Sequence, residues 1–201
     1  MKLLLATHNQ GKVAGLTEML SHAGIAVLSL DDVNVTFDVE ETGTTFLENA
    51  MLKATQYAAM TNMLVLADDS GLEIDALNGE PGVYTARYGG ANLTQPERNQ
   101  LVLGKLAEVA EPERTARFRA VLVLCAGDGT LIQTAEGVCE GQIAHAPAGQ
   151  GGFGYDPIFF IAAQQQTLAE MSSAEKHAIS HRGNALRQML PAIIAQTRAN
   201  S

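Results

Sequence analysis

Apolar residues recur along this chain on two periods, and the period predicts most of the elements. Residues 2–6 form a short apolar run, read as a buried strand, followed by a polar loop over 7–11. From Lys12 onward, Val13, Leu16, Met19, Leu20 and Ala23 fall at helical spacing, and Gly24 is a natural stop. Residues 25–30 predict a second strand. Thr45 and Glu48 form a capping-box pattern that opens a helix towards Asn62, with Leu47, Ala50, Met51, Ala54 and Ala58 expected to face inward. Residues 63–67 predict a short strand ending in Asp68-Asp69-Ser70-Gly71. Leu72, Ile74 and Ala76, alternating with Glu73 and Asp75, predict another with one wet face.

The second half continues in the same way. Asn78-Gly79 is a turn, and residues 81–93 read as loop. Thr94 and Glu97 open a further helix towards Ala110. Residues 117–126 alternate and then become continuously apolar, a strand joined through Asp128-Gly129 to a partner over 131–138, with a further strand over 142–146. Residues 147–157 carry too many glycines for a regular element. A strand over 158–161 follows, then a short helix capped by Ser172 and Glu175. A longer helix opened by Ser180 buries Leu186, Met189, Leu190, Ile193 and Ile194. Strands and helices that alternate early, with a hairpin late, predict a mixed α/β protein with a central mixed β-sheet.

Composition narrows the function. Apolar residues make up 46% and charged residues 17%, which predicts a packed core rather than disorder. With 13 basic and 22 acidic residues the formal charge is −9, a poor match to nucleic acid. A small anionic substrate would need local positive charge or a metal. Cys125 and Cys139 form no Cys-x-x-Cys pair and read as small core residues. The apolar run at the start is too short for a signal peptide, and no apolar stretch reaches the roughly 20 residues of a membrane span, so a cytoplasmic protein is expected.

Four polar clusters carry candidate chemistry. Thr7-His8-Asn9-Gln10-Gly11-Lys12 joins a strand to a helix. Backbone N–H groups at a helix start favour an anion and Lys12 adds charge, although a plain polar turn capped by Asn9 would look the same. Glu40-Glu41 and Asp68-Asp69 are adjacent carboxylate pairs. Such hard oxygens suit Mg²⁺ and one could take a proton from water; the alternative is two solvated loop tips. In Gly151-Gly152-Phe153-Gly154-Tyr155-Asp156, either aromatic could stack on a flat base and Asp156 could accept from a ring N–H, or the stretch is a surface loop. Lys176 with Ser180-His181-Arg182-Gly183 places cations at a helix start, which is unfavourable without an anion or carboxylate nearby. Lys53 and Arg87 are further basic candidates, Lys53 on a helix where it could simply face solvent. Together these parts describe a Mg-dependent enzyme acting on a nucleoside polyphosphate.

The residues that carry this chemistry also carry a resemblance. Thr7-His8-Asn9-x-x-Lys12, Glu40-Glu41-Thr42-Gly43, Phe46-x-Glu48-Asn49-Ala50, Asp68-Asp69-Ser70-Gly71-Leu72, the run from Pro81 to Tyr88, Gly151 to Pro157, and Ser180-His181-Arg182-Gly183 occur in that order along essentially the whole chain. In this the sequence resembles the ITPase (Ham1) family of noncanonical purine nucleoside triphosphate pyrophosphatases. The resemblance implies a single domain over 1–201, an elongated two-lobed subunit with a sheet flanked by helices and a cleft between the lobes. It implies hydrolysis of ITP, dITP and XTP to monophosphate and pyrophosphate with Mg²⁺, in a homodimer; the charge and the short apolar runs already speak against nucleic acid and membrane as partners. Thr7, His8, Asn9, Gln10, Gly11 and Lys12 would hold the triphosphate, and Ser70 would touch substrate. Asp69 would be general base and metal ligand, with Glu40 as second metal ligand and Glu41, Asp68 and Lys53 in support. Phe153, Gly154, Tyr155 and Asp156 would hold the base, and Lys176, His181 and Arg182 would complete the site. His8 departs from the glycine usual at its position.

Three rivals share some of these residues. A non-catalytic nucleotide sensor would keep the fold but not the full carboxylate set. A serine hydrolase built on Ser70 and His181 lacks the Gly-x-Ser-x-Gly elbow. A haloacid-type phosphatase would need Asp-x-Asp at a strand end, which this chain lacks.

Overall fold

In a computed structural model, which describes residues 2–199, the elements in chain order are β1 (Leu3–Leu5), α1 (Gln10–His22), β2 (Val27–Leu28), α2 (Phe46–Thr61), β3 (Leu64–Ile74) and α3 (Gln95–Lys105). They continue with β4 (Thr115–Cys125), β5 (Leu131–Ile143), β6 (Phe159–Ile161), β7 (Gln166–Thr167), α4 (Ser173–Ile179) and α5 (His181–Ala199). Among the described residues the strands form one seven-stranded sheet in the order β2-β1-β3-β4-β5-β6-β7. β1 pairs in parallel with both β2 and β3, whereas β6 pairs antiparallel with β5 and β7, so the sheet is mixed as the alternation predicts.

The chain divides into two compact units, to both of which β3, β4 and β5 contribute residues. The first comprises the described residues up to Asp69, Ala120–Gly137 and the chain from His181 onward. Its core sets Leu3 and Leu5 of β1, Leu64 and Leu66 of β3 and Leu122 and Leu124 of β4 against Leu16 and Leu20 of α1 and Leu186, Met189 and Ile193 of α5. The intervening Leu4, Val65 and Val123 are buried as well, so these strands are covered on both faces and read as unbroken apolar runs. The second unit comprises Ser70–Arg119 and Val138–Ser180. Its core joins Leu72 and Ile74, Phe118, Cys139 and Ile143 to Val102 of α3 and Leu106 just beyond it, with the Phe118 and Phe159 rings 4.6 Å apart.

Several expectations need correction. The two strands predicted over 63–67 and 72–76 are one strand, β3, which carries Asp68-Asp69 through its middle. The polar run reads as a turn, yet both carboxylates are buried on counter-charges and the backbone stays extended. Likewise β5 runs unbroken to Ile143 through Gly137 and Gly141. These glycines mark close packing: a Cβ at 137 would sit 2.1 Å from the His181 carbonyl oxygen, and one at 141 would sit 2.5 Å from the Phe159 ring. β2 is shorter than predicted, α3 stops at Lys105, and a 3₁₀ segment spans Gly82–Arg87 where loop was expected.

In α2 both capping-box bonds form at Thr45 and Glu48, and Asn62 ends the helix in the left-handed conformation, as the sequence signals. The buried face, however, is Phe46, Asn49, Ala50, Lys53, Ala54, Tyr57 and Ala58; Leu47 is 46% exposed.

Candidate active site

In the first unit, six charged side chains from three helices, a strand and an irregular segment converge. Asn9 caps α1 by accepting from the Lys12 backbone N–H at 3.1 Å, which fixes Lys12 in the first helical turn. From there the Lys12 ammonium donates to the Asp68 carbonyl at 3.3 Å and to its Oδ1 at 3.2 Å. Arg182, in the first turn of α5, donates through Nε to Asp68 Oδ2. Both oxygens of the fully buried Asp68 are therefore taken by cations. The unfavourable placement of Arg182 against the helix dipole is answered by that carboxylate.

Asp69, one residue on, projects to the other side of the strand. Its Oδ1 accepts from Lys53 Nζ at 2.9 Å, and Lys53 also donates to Glu41 Oε1 at 2.7 Å and the Asp68 carbonyl at 2.9 Å. Lys53 is buried on α2, not solvent-facing. Burial would depress its pKa, but Asp69 and Glu41 more than offset this and hold it above its ordinary value. Burial raises the Asp69 pKa, against the pull of Lys53 and Lys12. Burial lowers that of Lys12, although Asp68 opposes it.

Asp69 Oδ2 is buried and has no hydrogen-bond partner among the described residues. A carboxylate oxygen left bare beside a lysine invites a cation or a water proton. Glu40 is exposed, and its carboxylate makes no hydrogen bond or ion pair among the described residues. No group of three or more His, Cys, Asp or Glu among the described residues could hold a metal by itself. Two carboxylates suit an ion such as Mg²⁺ that keeps waters and shares substrate phosphates.

The rest of the phosphate loop is local. Thr7 Oγ1 accepts from the Asn9 N–H, and Gln10 Nε2 donates to Asp31 Oδ2 at 3.4 Å. His8 turns to the segment beyond β2: its Nε2 donates to the Phe37 carbonyl at 3.3 Å, with Asp31 at 3.6 Å and Asp38 at 3.8 Å. Gly11 lies in the first turn of α1, Ser70 lies within β3, and His181 is buried at the start of α5.

The second unit holds the glycine loop. Gly152 and Gly154 adopt φ of +70° and +66°. A Cβ at 152 would lie 2.0 Å from Asp156 Oδ2, so that bend needs glycine. Asp156 Oδ2 accepts from the Phe153 N–H at 2.7 Å and from Lys176 Nζ, whose ammonium lies 5.1 Å from the Phe153 ring centroid. Asp156 Oδ2 is thus engaged in shaping the loop. Tyr155 is not a stacking face: it is 1% exposed, and its hydroxyl donates to the Thr85 carbonyl at 3.0 Å. Phe153, only half-buried, is the aromatic available to a planar ligand. Asn99 of α3 donates to the Gly154 carbonyl at 3.4 Å. Asn49, Tyr57, Thr85 and Asn99 were not singled out in the sequence for what they touch. Only the helical spacing of 49, 53 and 57 could have pointed to the first two.

Comparison with known proteins matches residues 3–192 to the model of the Ham1 family. A Thermus thermophilus protein named dITP/XTP pyrophosphatase is 52% identical over 192 residues, covering 96% of this chain and 91% of its own length. A Bacillus subtilis protein of the same name is 46% identical over 186 residues, covering 92% and 93%. Among solved structures, a HAM1 protein from Coxiella burnetii superposes with a TM-score of 0.85 at 43% identity, covering 97% of this chain and 99% of that one. The Staphylococcus aureus Ham1 protein gives 0.84 at 38% identity, covering 98% and 100%.

Proposed function

The chain belongs to the Ham1 family, and from that premise we infer that it is a nucleoside triphosphate pyrophosphatase for noncanonical purines. It hydrolyses dITP, XTP and ITP to the monophosphate and pyrophosphate, which keeps deaminated purines out of DNA and RNA. The observation that carries a mechanism is the unlike treatment of two neighbouring carboxylates. Asp68 is spent on Lys12 and Arg182, while Asp69 keeps Oδ2 bare beside Lys53.

In this reading the start of α1 offers backbone N–H groups to the triphosphate and Lys12 offers its ammonium, with Thr7, His8, Asn9, Gln10 and Gly11 shaping that loop. Lys53 holds Asp69 through Oδ1, which leaves Oδ2 as the atom that takes a proton from the attacking water. The water oxygen bonds to the α-phosphorus and the bond to the bridging oxygen of the β-phosphate breaks, releasing pyrophosphate. Asp69 and Glu40 would hold a divalent cation, for which Mg²⁺ is the ion proposed. Such an ion, when bound there, would neutralise charge on the phosphates and so make pyrophosphate a better leaving group. Glu41 and Asp68 keep the lysines and Arg182 in place, and Ser70 contacts substrate.

Phe153 offers a face to the base, with Lys176 and Asp156 holding its loop. Discrimination turns on the 6-oxo group, which accepts a hydrogen bond where adenine's 6-amino group would present a second donor. His181 and Arg182 are the donors proposed. No helix among the described residues is long and apolar enough to cross a membrane. The proposal includes a cytoplasmic homodimer.

The test is a product assay with Mg²⁺ on dITP, XTP, ITP, ATP and GTP that separates pyrophosphate from orthophosphate. Rapid pyrophosphate release from dITP and XTP, with ATP and GTP nearly inert, is expected. Orthophosphate as product, or tight binding without turnover, would overturn the reading. Asp69→Asn is expected to slow release by about 10²–10⁴-fold, the usual contribution of a general base.

A further inference from the structure

The segment from Asp38 to Gly43 has no regular secondary structure, yet its burial alternates. Val39 is buried and Glu41 and Gly43 are partly buried, while Asp38, Glu40 and Thr42 are exposed. That is the two-residue alternation of an extended chain. Each inward residue meets one side chain of α2. The Tyr57 hydroxyl accepts from the Val39 N–H at 3.2 Å and donates to the Phe37 carbonyl at 3.1 Å. Lys53 donates to Glu41 at 2.7 Å, and Asn49 Oδ1 accepts from the Gly43 N–H at 2.8 Å. A Cβ at Gly43 would lie 2.6 Å from that Oδ1, so the approach requires glycine.

The three helix residues, all buried, are spaced by four and share one face. The lengths agree: four helical residues rise about 6 Å, and two extended residues span about 7 Å. Positions 39, 41 and 43 thus run against 57, 53 and 49 in step. Glu40 falls at the outward position between two clamped neighbours. A slip of one residue would turn Glu40 towards Lys53 and Glu41 outward, because side chains on an extended chain change face at each step.

We propose that Tyr57 and Asn49 are positioning residues that fix the register of this acidic segment, and so decide that Glu40 rather than Glu41 is the carboxylate offered to the divalent cation. This rests on the reading above in which Glu40 and Asp69 hold that ion. Neither residue touches substrate; both act through the backbone of the segment. His8 adds a hold from the phosphate loop, on the same Phe37 carbonyl that Tyr57 engages. The histidine's departure from the family's usual glycine thereby acquires a role towards this segment.

The experiment compares wild type, Tyr57→Phe, Asn49→Ala and Glu40→Gln. Tyr57→Phe removes one oxygen and keeps the ring beside Phe37, 5.9 Å between centroids. Mg²⁺ binding is measured by calorimetry in the presence of a non-hydrolysable dITP analogue, and amide hydrogen exchange is followed over residues 37–43. The Tyr57 and Asn49 variants are expected to bind Mg²⁺ about ten- to a hundredfold more weakly, the usual consequence of losing an outer-shell partner. Their amides at Val39 and Gly43 respectively should exchange faster, and turnover should recover as Mg²⁺ is raised.

If both variants fold and bind Mg²⁺ like wild type while Glu40→Gln does not, the register proposal falls alone. If Glu40→Gln also leaves binding unchanged, the reading of Glu40 as a cation ligand falls and takes the proposal with it. Should Tyr57→Phe fail to fold, Asn49→Ala decides on the same measurements. Unprotected Val39 and Gly43 amides in the wild-type protein would overturn the proposal without any variant.

Discussion

Asp68 and Asp69 are one position apart, and that step separates their chemistry. On an extended strand they project to opposite sides, one into Lys12 and Arg182 and the other onto Lys53. Lys53 in turn answers both Asp69 and Glu41 from a buried position. Removing it would strand two carboxylates in a poorly hydrated site, and breaking a buried pair from one side is much more harmful than exchanging the whole pair for apolar groups. Lys53→Met is therefore expected to lower the free energy of unfolding by about 3 kcal/mol, read from urea denaturation. A loss below about 1 kcal/mol would place Lys53 among ordinary surface ion pairs. The resemblance sets Asp69 above Asp68, but adjacent Asp codes do not say which carboxylate oxygen is left bare.

At the scale of elements, the legible parts were those with local physics. The capping boxes of α2, α3 and α4 and the Asn9 cap of α1 were readable because a Ser, Thr or Asn and its partner three residues on make the bond themselves. The local pattern splits β3 and β5 into two strands each because the reasons they continue lie elsewhere in the chain. β3 passes through Asp68-Asp69 on the strength of cations from α1, α2 and α5. β5 passes through Gly137 because α5 packs its first turn there. The buried face of α2 departs from the hydropathy pattern for the same reason, since Lys53 and Asn49 are buried for their partners and not for their hydropathy.

The glycine gives a test at this scale. Gly137→Ala would drive a methyl group into the His181 carbonyl and the Ala185 N–H, 2.1 and 2.4 Å from the added carbon, so backbone must move. A loss of about 1–3 kcal/mol in stability is expected, as for overpacking. Turnover should fall beyond what stability explains, because the turn that shifts also carries Arg182 to Asp68. Gly104→Ala, in open space within α3, is the control and should be neutral or slightly stabilising.

At the scale of the whole molecule, a chain of formal charge −9 handles a polyanion by local balance. In the first unit Lys12, Lys53 and Arg182 face Asp68, Asp69 and Glu41, three against three. When all are ionised the cluster has no net charge to repel a triphosphate. On the alkaline side, a loss of stability is expected from two groups buried in the second unit. Burial pushes the Cys139 thiol from 9.0 up to about 11 and the Tyr155 phenol from 10.0 up to about 12.

Both protons are held more tightly in the folded state than in the unfolded chain. Their stabilising share is therefore complete below the unfolded pKa and is lost as pH rises through the folded one. For Cys139 the loss starts near pH 9 and levels off beyond about 11, and Tyr155 follows from 10 to about 12. The thermal midpoint should thus fall steadily above pH 9. Cys139→Ala should flatten the first part of that fall while lowering the midpoint slightly at neutral pH through lost packing. Equal slopes in the two proteins would mean that the thiol does not report on folding. Native protein below pH 9 should also leave Cys139 unlabelled by iodoacetamide until it unfolds, because the reactive species is the thiolate that burial suppresses.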